Sequence, residues 1–302
     1  MTGHAARWEL LRALGAVAGD PADARAACAA LGLPAPGTAE HTEVFVLNCP
    51  PYAAVYLGAE GGLGGDAADR VAGFWRAIGV PPPAEPDHLT ALLSLYASLG
   101  EAAAGALTEA TGGALTRARH ALFWEHLWPW LPAYLEAVTS LRVPSLAAWA
   151  GLARQAVLAE HAAHPGGRLP LALREAPTPL SLGCSPGDLP GALTTPARSG
   201  LILTRRCLAS GAEAASAGHR IGERRFTLRA MLEQEPGGTL RWLDGKAGRW
   251  ASRHAACARE GTGGRPEPDE VQGWWARRAH RTGQVLRTMA AAAAGSGRVP
   301  AG

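Results

Sequence analysis

Helix start and stop signals recur roughly every 15 to 25 residues over the first half of this chain, and that punctuation confines it to a helical fold. Asp20-Pro21 reads as an N-cap followed by proline at the first helical position, and Gly32 closes that helix. Thr38 reads as the cap of a short helix to Leu47, which Pro50-Pro51 must stop. Asp66 reads as the cap of a helix with Val71, Phe74, Trp75 and Ile78 on its inner face, ending at Gly79. Asp87 reads as the cap of a helix whose Leu89, Leu92, Leu93, Tyr96 and Leu99 form one apolar stripe. After Gly112-Gly113 a helix runs through Phe123 and Leu127, is interrupted at Pro129 and Pro132, and continues through Tyr134, Leu135 and Val138. Ser145 opens a further helix, Leu146 to about His161.

Abundant Ala and Leu with few β-branched residues supports the same conclusion. The expected fold is all-α, a bundle of about seven to nine helices with a Pro/Gly-rich connector and an additional helical C-terminal region. Residues 1–164 form the helical core, and 165–203 are a connector carrying seven prolines. Residues 204–260 are a basic helical region, where one helix carries Phe226, Leu228, Met231 and Leu232 and another Leu240, Trp242, Leu243 and Trp250. Residues 261–302 are a flexible or partly helical tail.

Charge divides the chain. Residues 1–200 carry 12 basic and 17 acidic side chains, and residues 201–302 carry 17 basic and 9 acidic. An acidic body with a basic tail fits two regions with different partners, or a tail that packs on its own body. Cys28, Cys49, Cys184, Cys207 and Cys257 are odd in number and widely spaced, which fits reduced thiols and neither a disulfide framework nor a zinc site. No apolar run reaches the roughly 18 residues of a membrane helix. Trp8, Leu11, Leu14 and Val17 space as one face of an amphipathic helix rather than a signal peptide. A mature cytoplasmic protein is expected.

Several constellations could carry function. Asn48-Cys49-Pro50-Pro51-Tyr52 through Gly58 puts two tyrosines beside small alanines, either at a groove or as a proline turn with core aromatics. Glu85-Pro86-Asp87-His88 turns into a helix, with Asp87 as cap and His88 in the first turn, where the dipole disfavours its charged form. Glu125, His126, Trp128 and Trp130 crowd a helix interruption, as a concave anionic patch or as aromatic core. The glycine loop 58–65 lacks Gly-Lys-Ser/Thr, and Asp66 would repel a phosphate. His161 and His164 read as cationic groups at a helix C-terminus. No nucleophile-base or metal-ligand arrangement is evident, so neither catalysis nor a cofactor or metal is expected.

In order, P-P-Y-x-x-V-Y-L-G, a glycine loop with an amphipathic helix, E-P-D-H-L and H-L-x-P-W resemble the TorD/DmsD-type redox-enzyme maturation chaperones, over roughly residues 5–163. The resemblance implies an all-helical, cytoplasmic, non-enzymatic protein. Its partner would be an apo-molybdoenzyme or iron-sulfur partner subunit, bound through its twin-arginine leader and held until cofactor insertion is complete. Carried onto this chain, the peptide site would use Tyr52, Val55 and Tyr56, the hinge residues Asp87 and His88, and His126 and Trp130 on the facing helix. Glu43, Glu85, Asp87 and Glu125 are available as carboxylates for the leader's arginines, and Glu85 and Glu125 join the site on that ground. The chain departs from the family pattern after Leu89, where Thr90 to Tyr96 is uncharged, and Tyr52 stands where some members have tryptophan. A homodimer by helix exchange is open to a chain with such a connector. Nucleic acid is not the expected partner. The competing class is a nucleic-acid-binding or regulatory all-α protein acting through Arg220, Arg224, Arg225 and Arg229 of a helix-turn-helix-like pair.

Overall fold

The computed structural model describes residues 2–164, 166–218, 222–260 and 269–296. It is all-α, with sixteen α-helices and two π-helical stretches among the described residues. That exceeds the seven to nine helices expected, because prolines and glycines cut the chain into short pieces such as Ala53–Leu57 and Pro196–Ser199, and Thr38–His41 gives way directly to a π-helical stretch. The chain divides into two compact units, Met1–Gly58 with Gly62–Arg174, and Ala59–Gly61 with Glu175–Gly302.

The first unit contains α1 (Thr2–Ala16), α2 (Pro21–Ala30), α3 (Thr38–His41), α4 (Ala53–Leu57), α5 (Gly65–Ala77), α6 (Leu89–Ala104), α7 (Glu109–Leu122), α8 (Leu131–Ser140), α9 (Pro144–Ala162) and α10 (Leu171–Arg174). Asp20 caps α2 as the sequence implies, its carboxylate accepting from the Ala22 N–H at 2.7 Å. Gly64, not Asp66, is the N-cap of α5, and Val143, not Ser145, that of α9. α1 packs along α6, α6 along α7 and α8 along α9. Gly100 of α6 lets α1 approach this closely, since a Cβ there would lie 2.6 Å from the Trp8 indole.

A buried polar knot ties α1, α6, α7 and α9. Arg7 donates to both oxygens of Glu160, and Tyr96 donates its hydroxyl to the same carboxylate at 2.5 Å. Arg119 donates to the Tyr96 oxygen at 3.2 Å, and His164 lies 3.2 Å from that oxygen. His164, expected as a cationic group at a helix end, instead sits inside this knot. His161 and His164 are both buried, His161 stacks on Trp128 at 3.8 Å, and burial pushes His164 down to about 4.

In the second unit are α11 (Leu189–Thr194), α12 (Pro196–Ser199), α13 (Arg205–Ala215), α14 (Arg224–Gln234), α15 (Pro236–Glu260) and α16 (Glu270–Ser296). The last two form a long antiparallel hairpin, joined where Arg287 meets Asp244 at 2.6 Å and where the Asp269 N–H reaches the Ala258 carbonyl. His254 lies between the rings of Trp250 and Trp275 and bonds the Gly200 carbonyl at 3.2 Å. Gly200 has φ +74°, and a Cβ there would meet the Ala279 backbone at 2.4 Å. Arg278 holds the Pro177 and Ala197 carbonyls against α16.

Two readings of this region change. Phe226 sits in the first turn of α14, outside the buried stripe of Leu228 and Met231, and is 47% exposed. Arg224 is half-buried and donates to the Leu203 and Gly61 carbonyls, so it is not an exposed DNA-reading side chain. Arg225 and Arg229 are exposed. Arg220 and the stretch 261–268 lie outside the described residues.

Candidate peptide-binding site

Pro50 and Pro51 have no N–H to give a helix, so the π-helical stretch Thr42–Asn48 ends there and Tyr52 enters extended backbone at φ −121°, ψ 132°. The residues before α6 do the same, with His88 at φ −68°, ψ 140°. The two extended pieces pair antiparallel at Tyr52 and His88. The Ala53 N–H donates to the Asp87 carbonyl at 3.1 Å, and the Leu89 N–H to the Pro51 carbonyl at 2.8 Å. A single bridge thus fastens two motifs that stand 33 residues apart.

The caps at this seam are exchanged relative to the sequence expectation. The Asp87 carboxylate does not cap its own helix. It accepts from the Ala54 N–H of α4 at 2.9 Å, across the bridge. The imidazole of His88 caps α6 instead, its Nδ1 accepting from the Thr90 N–H at 3.2 Å. A ring nitrogen that accepts must be unprotonated, and burial pushes His88 in that direction. Burial also pushes the Asp87 carboxyl up, against the backbone hydrogen bonds that pull it down. Trp75 of α5 fixes the turn by donating to the Pro86 carbonyl at 3.2 Å.

On the outer side of the seam, the Tyr52 hydroxyl donates to the exposed Glu85 carboxylate at 2.8 Å, and its ring stands edge-on to His88 at 4.7 Å. Burial and then Glu85 push the Tyr52 phenol up to about 12. Glu85, Tyr52 and His88 are the members of the expected set that keep some exposure in one cluster.

The other expected residues lie deeper. Val55, Tyr56, His126 and Trp130 are buried. Trp130 stacks on Tyr56 at 5.3 Å and 11°, and donates its indole N–H to the His126 carbonyl at 2.8 Å. Tyr56 donates to the Pro50 carbonyl at 3.0 Å, which fastens this wall to the first motif. His126 sits in the π-helical stretch Phe123–Leu127, against Phe74 at 5.1 Å. Burial, with Arg70 assisting, pushes His126 down to about 4. Glu125 accepts from the Leu171 N–H at 2.7 Å, at the start of α10.

Sequence reasoning missed Val46 and Leu47, which are 63% and 38% exposed on the π-helical stretch leading to the seam. The signal was present. Val44 to Leu47 is four apolar residues in a row, and no helix can turn all four to one core. Thr90 and Trp75 were likewise not recognised as parts of the seam. Among the described residues no cluster of His, Cys, Asp and Glu could hold a metal ion, and none of the five cysteines forms a disulfide.

Residues 34–136 match the family model of the nitrate reductase delta subunit, a family of molybdoenzyme maturation chaperones. The matched segment is about a third of the chain and contains the Pro50–Gly58, Glu85–Leu89 and His126–Trp130 motifs, in agreement with the resemblance to redox-enzyme maturation chaperones. No curated protein matches the chain. Among the described residues, no helix is long and apolar enough to cross a membrane.

Proposed function

We propose that this chain is a cytoplasmic, non-enzymatic chaperone. It binds the twin-arginine leader of an apo-molybdoenzyme or its iron-sulfur partner subunit, assists cofactor insertion and delays export until the client is mature. The observation that carries this reading is the bridged seam inside the family-matched segment, with the Glu85 carboxylate and the edge of Tyr52 at its surface and Val46 and Leu47 exposed just before it. A leader has the complementary chemistry, two arginines followed by a moderately apolar stretch. Glu85 accepts a guanidinium in a charge-assisted bond of about 1.5–3 kcal/mol. Covering roughly 400 Å² of apolar peptide contributes on the order of 10 kcal/mol gross, which association and ordering offset by about 4–15 kcal/mol. The balance is reversible binding in the micromolar range, suited to handing a client on.

In this reading Glu85, Tyr52 and His88 meet the peptide. Asp87, Val55, Tyr56, Glu125, His126 and Trp130 hold the surface in place from behind. The test is titration of the folded chain with molybdoenzyme leader peptides, each compared with a form in which both arginines are alanine. Binding that needs the arginine pair supports the reading. Failure of every leader to bind, with helical content intact, sinks it.

A further inference from the structure

The family match leaves residues 1–33 outside it, and these carry a groove separate from the seam. α1 contributes Glu9, Arg12, Ala13 and Ala16, whose spacing of three and four defines one helix face. α2 contributes Asp23, Ala26 and Ala27 by the same spacing. Together they line an open cavity of about 380 Å³ between the two helices. Its floor is methyl groups, and α2 carries six alanines in ten residues. Side chains this short let another helix lie close, because interaxial distance is set by the side chains at the contact.

The rim is acidic. Arg12 directs two guanidinium nitrogens at the Glu101 carboxylate, 3.1 and 2.8 Å away, so that pair is neutral toward a partner. Glu9 and Asp23 are exposed. Asp23 lies in the first turn of α2, where the helix dipole favours a carboxylate. A second copy of the same face would bring its own Glu9 and Asp23 against these two, like against like. A helix bearing arginines complements them.

We propose that the α1–α2 groove docks the helical, apolar part of an arginine-bearing client peptide. Small apolar side chains seat on Ala13, Ala16, Ala26 and Ala27, and guanidinium groups meet Glu9 and Asp23. The proposal rests on the peptide-binding reading above and adds a second contact surface to it.

The experiment uses the full chain and a labelled peptide with an arginine pair before an alanine-leucine stretch, read by fluorescence anisotropy. Ala26→Trp fills the groove from an exposed position, and the double variant Glu9→Lys with Asp23→Lys reverses its rim. Circular dichroism confirms that both are folded. Each variant weakens binding about tenfold or more, and a peptide with glutamates in place of the arginines does not bind. Unchanged affinity in both folded variants overturns the groove while leaving the leader reading intact. If twin-arginine leaders fail, but an amphipathic helix with scattered lysines binds the wild type and not Ala26→Trp, the groove stands and the leader reading falls. No binding by any peptide overturns both. A wild-type dimer that Ala26→Trp dissolves, without effect on peptide affinity, overturns the proposal in favour of self-association.

Discussion

The seam at Tyr52 and His88 and the wall at His126 and Trp130 look alike in sequence, each a histidine beside aromatic and acidic residues, yet they hold together by different physics. The seam is polar. Two backbone hydrogen bonds and a carboxylate cap join segments distant in sequence, an imidazole caps α6 beside them, and part of Tyr52, Glu85 and His88 stays in contact with water. The wall is apolar, with indole and phenol rings stacked out of solvent. Polar seams orient groups at a surface, whereas stacked walls set the position of the element behind it. The two can be separated by what each loses on truncation and by the opposite responses to acid of His126 and Asp87.

The largest expected effect lies in the wall. Trp130 is fully buried, with Tyr56 and Tyr134 each at 5.3 Å. Trp130→Ala destabilises the first unit by about 3–5 kcal/mol in urea denaturation, from lost burial and the cavity left behind. A loss below about 1 kcal/mol would mean that the wall can collapse around the gap, and the contrast with the seam would fail.

Acid comes next and separates His126 of the wall from Asp87 of the seam by sign. His126 is held near 4 when folded and returns to the ordinary histidine value of about 6.5 when unfolded. Its contribution is complete above the unfolded value and is lost as pH falls toward the folded one, a decline of about 2–3 kcal/mol. Asp87 is shifted the other way. Its contribution is present at low pH and is lost as pH rises through its folded value. The profile of stability against pH for wild type minus His126→Leu therefore falls on acidification, and that for wild type minus Asp87→Asn rises. His164 and His254 are also held near 4, and burial lowers His88 within the seam itself, so only these differences, not the raw wild-type curve, isolate His126 and Asp87.

Asp87→Ala is smaller in stability than Trp130→Ala. It leaves the Ala54 N–H without its acceptor in a buried place, which costs about 1–3 kcal/mol. Asp87→Asn keeps an oxygen there and recovers most of the loss. Equal losses for Ala and Asn would show that charge, not the hydrogen bond, joins the motifs.

How far the sequence could be read follows the same division. That Asp87 is a cap was legible, because aspartate before an apolar helical stripe is a local signal. Which helix it caps was not, since its partner, Ala54, is 33 residues away and capping rules look only a few residues ahead. The same exchange moved His88 from the first turn to the cap position. Helical content and the core role of Phe123 and Leu127 followed from period and composition. The burial of His161 and His164 did not, because the Arg7–Glu160–Tyr96 knot beside His164 brings together helices from both ends of the first unit. The exposure of Val46 depends on a π-helical register that a 3.6-residue period does not describe.

The smallest effect is the most informative about the seam's outer side. Tyr52→Phe removes the hydroxyl that the Glu85 carboxylate accepts, at an exposed position where water replaces it, so stability changes by less than about 1 kcal/mol. Glu85→Gln leaves stability equally unmoved, because the amide oxygen still accepts from Tyr52. The two differ in peptide affinity. Tyr52→Phe frees the carboxylate for a guanidinium and leaves affinity for an arginine-bearing peptide equal or raised. Glu85→Gln removes the charge and weakens binding, by about tenfold if one charge-assisted bond is lost. The pair is read by titration at two salt concentrations, since a charge contact at an exposed site weakens as salt rises. Equal affinities for wild type and Glu85→Gln at low salt would assign the seam a structural role alone and leave peptide recognition to another face of the first unit.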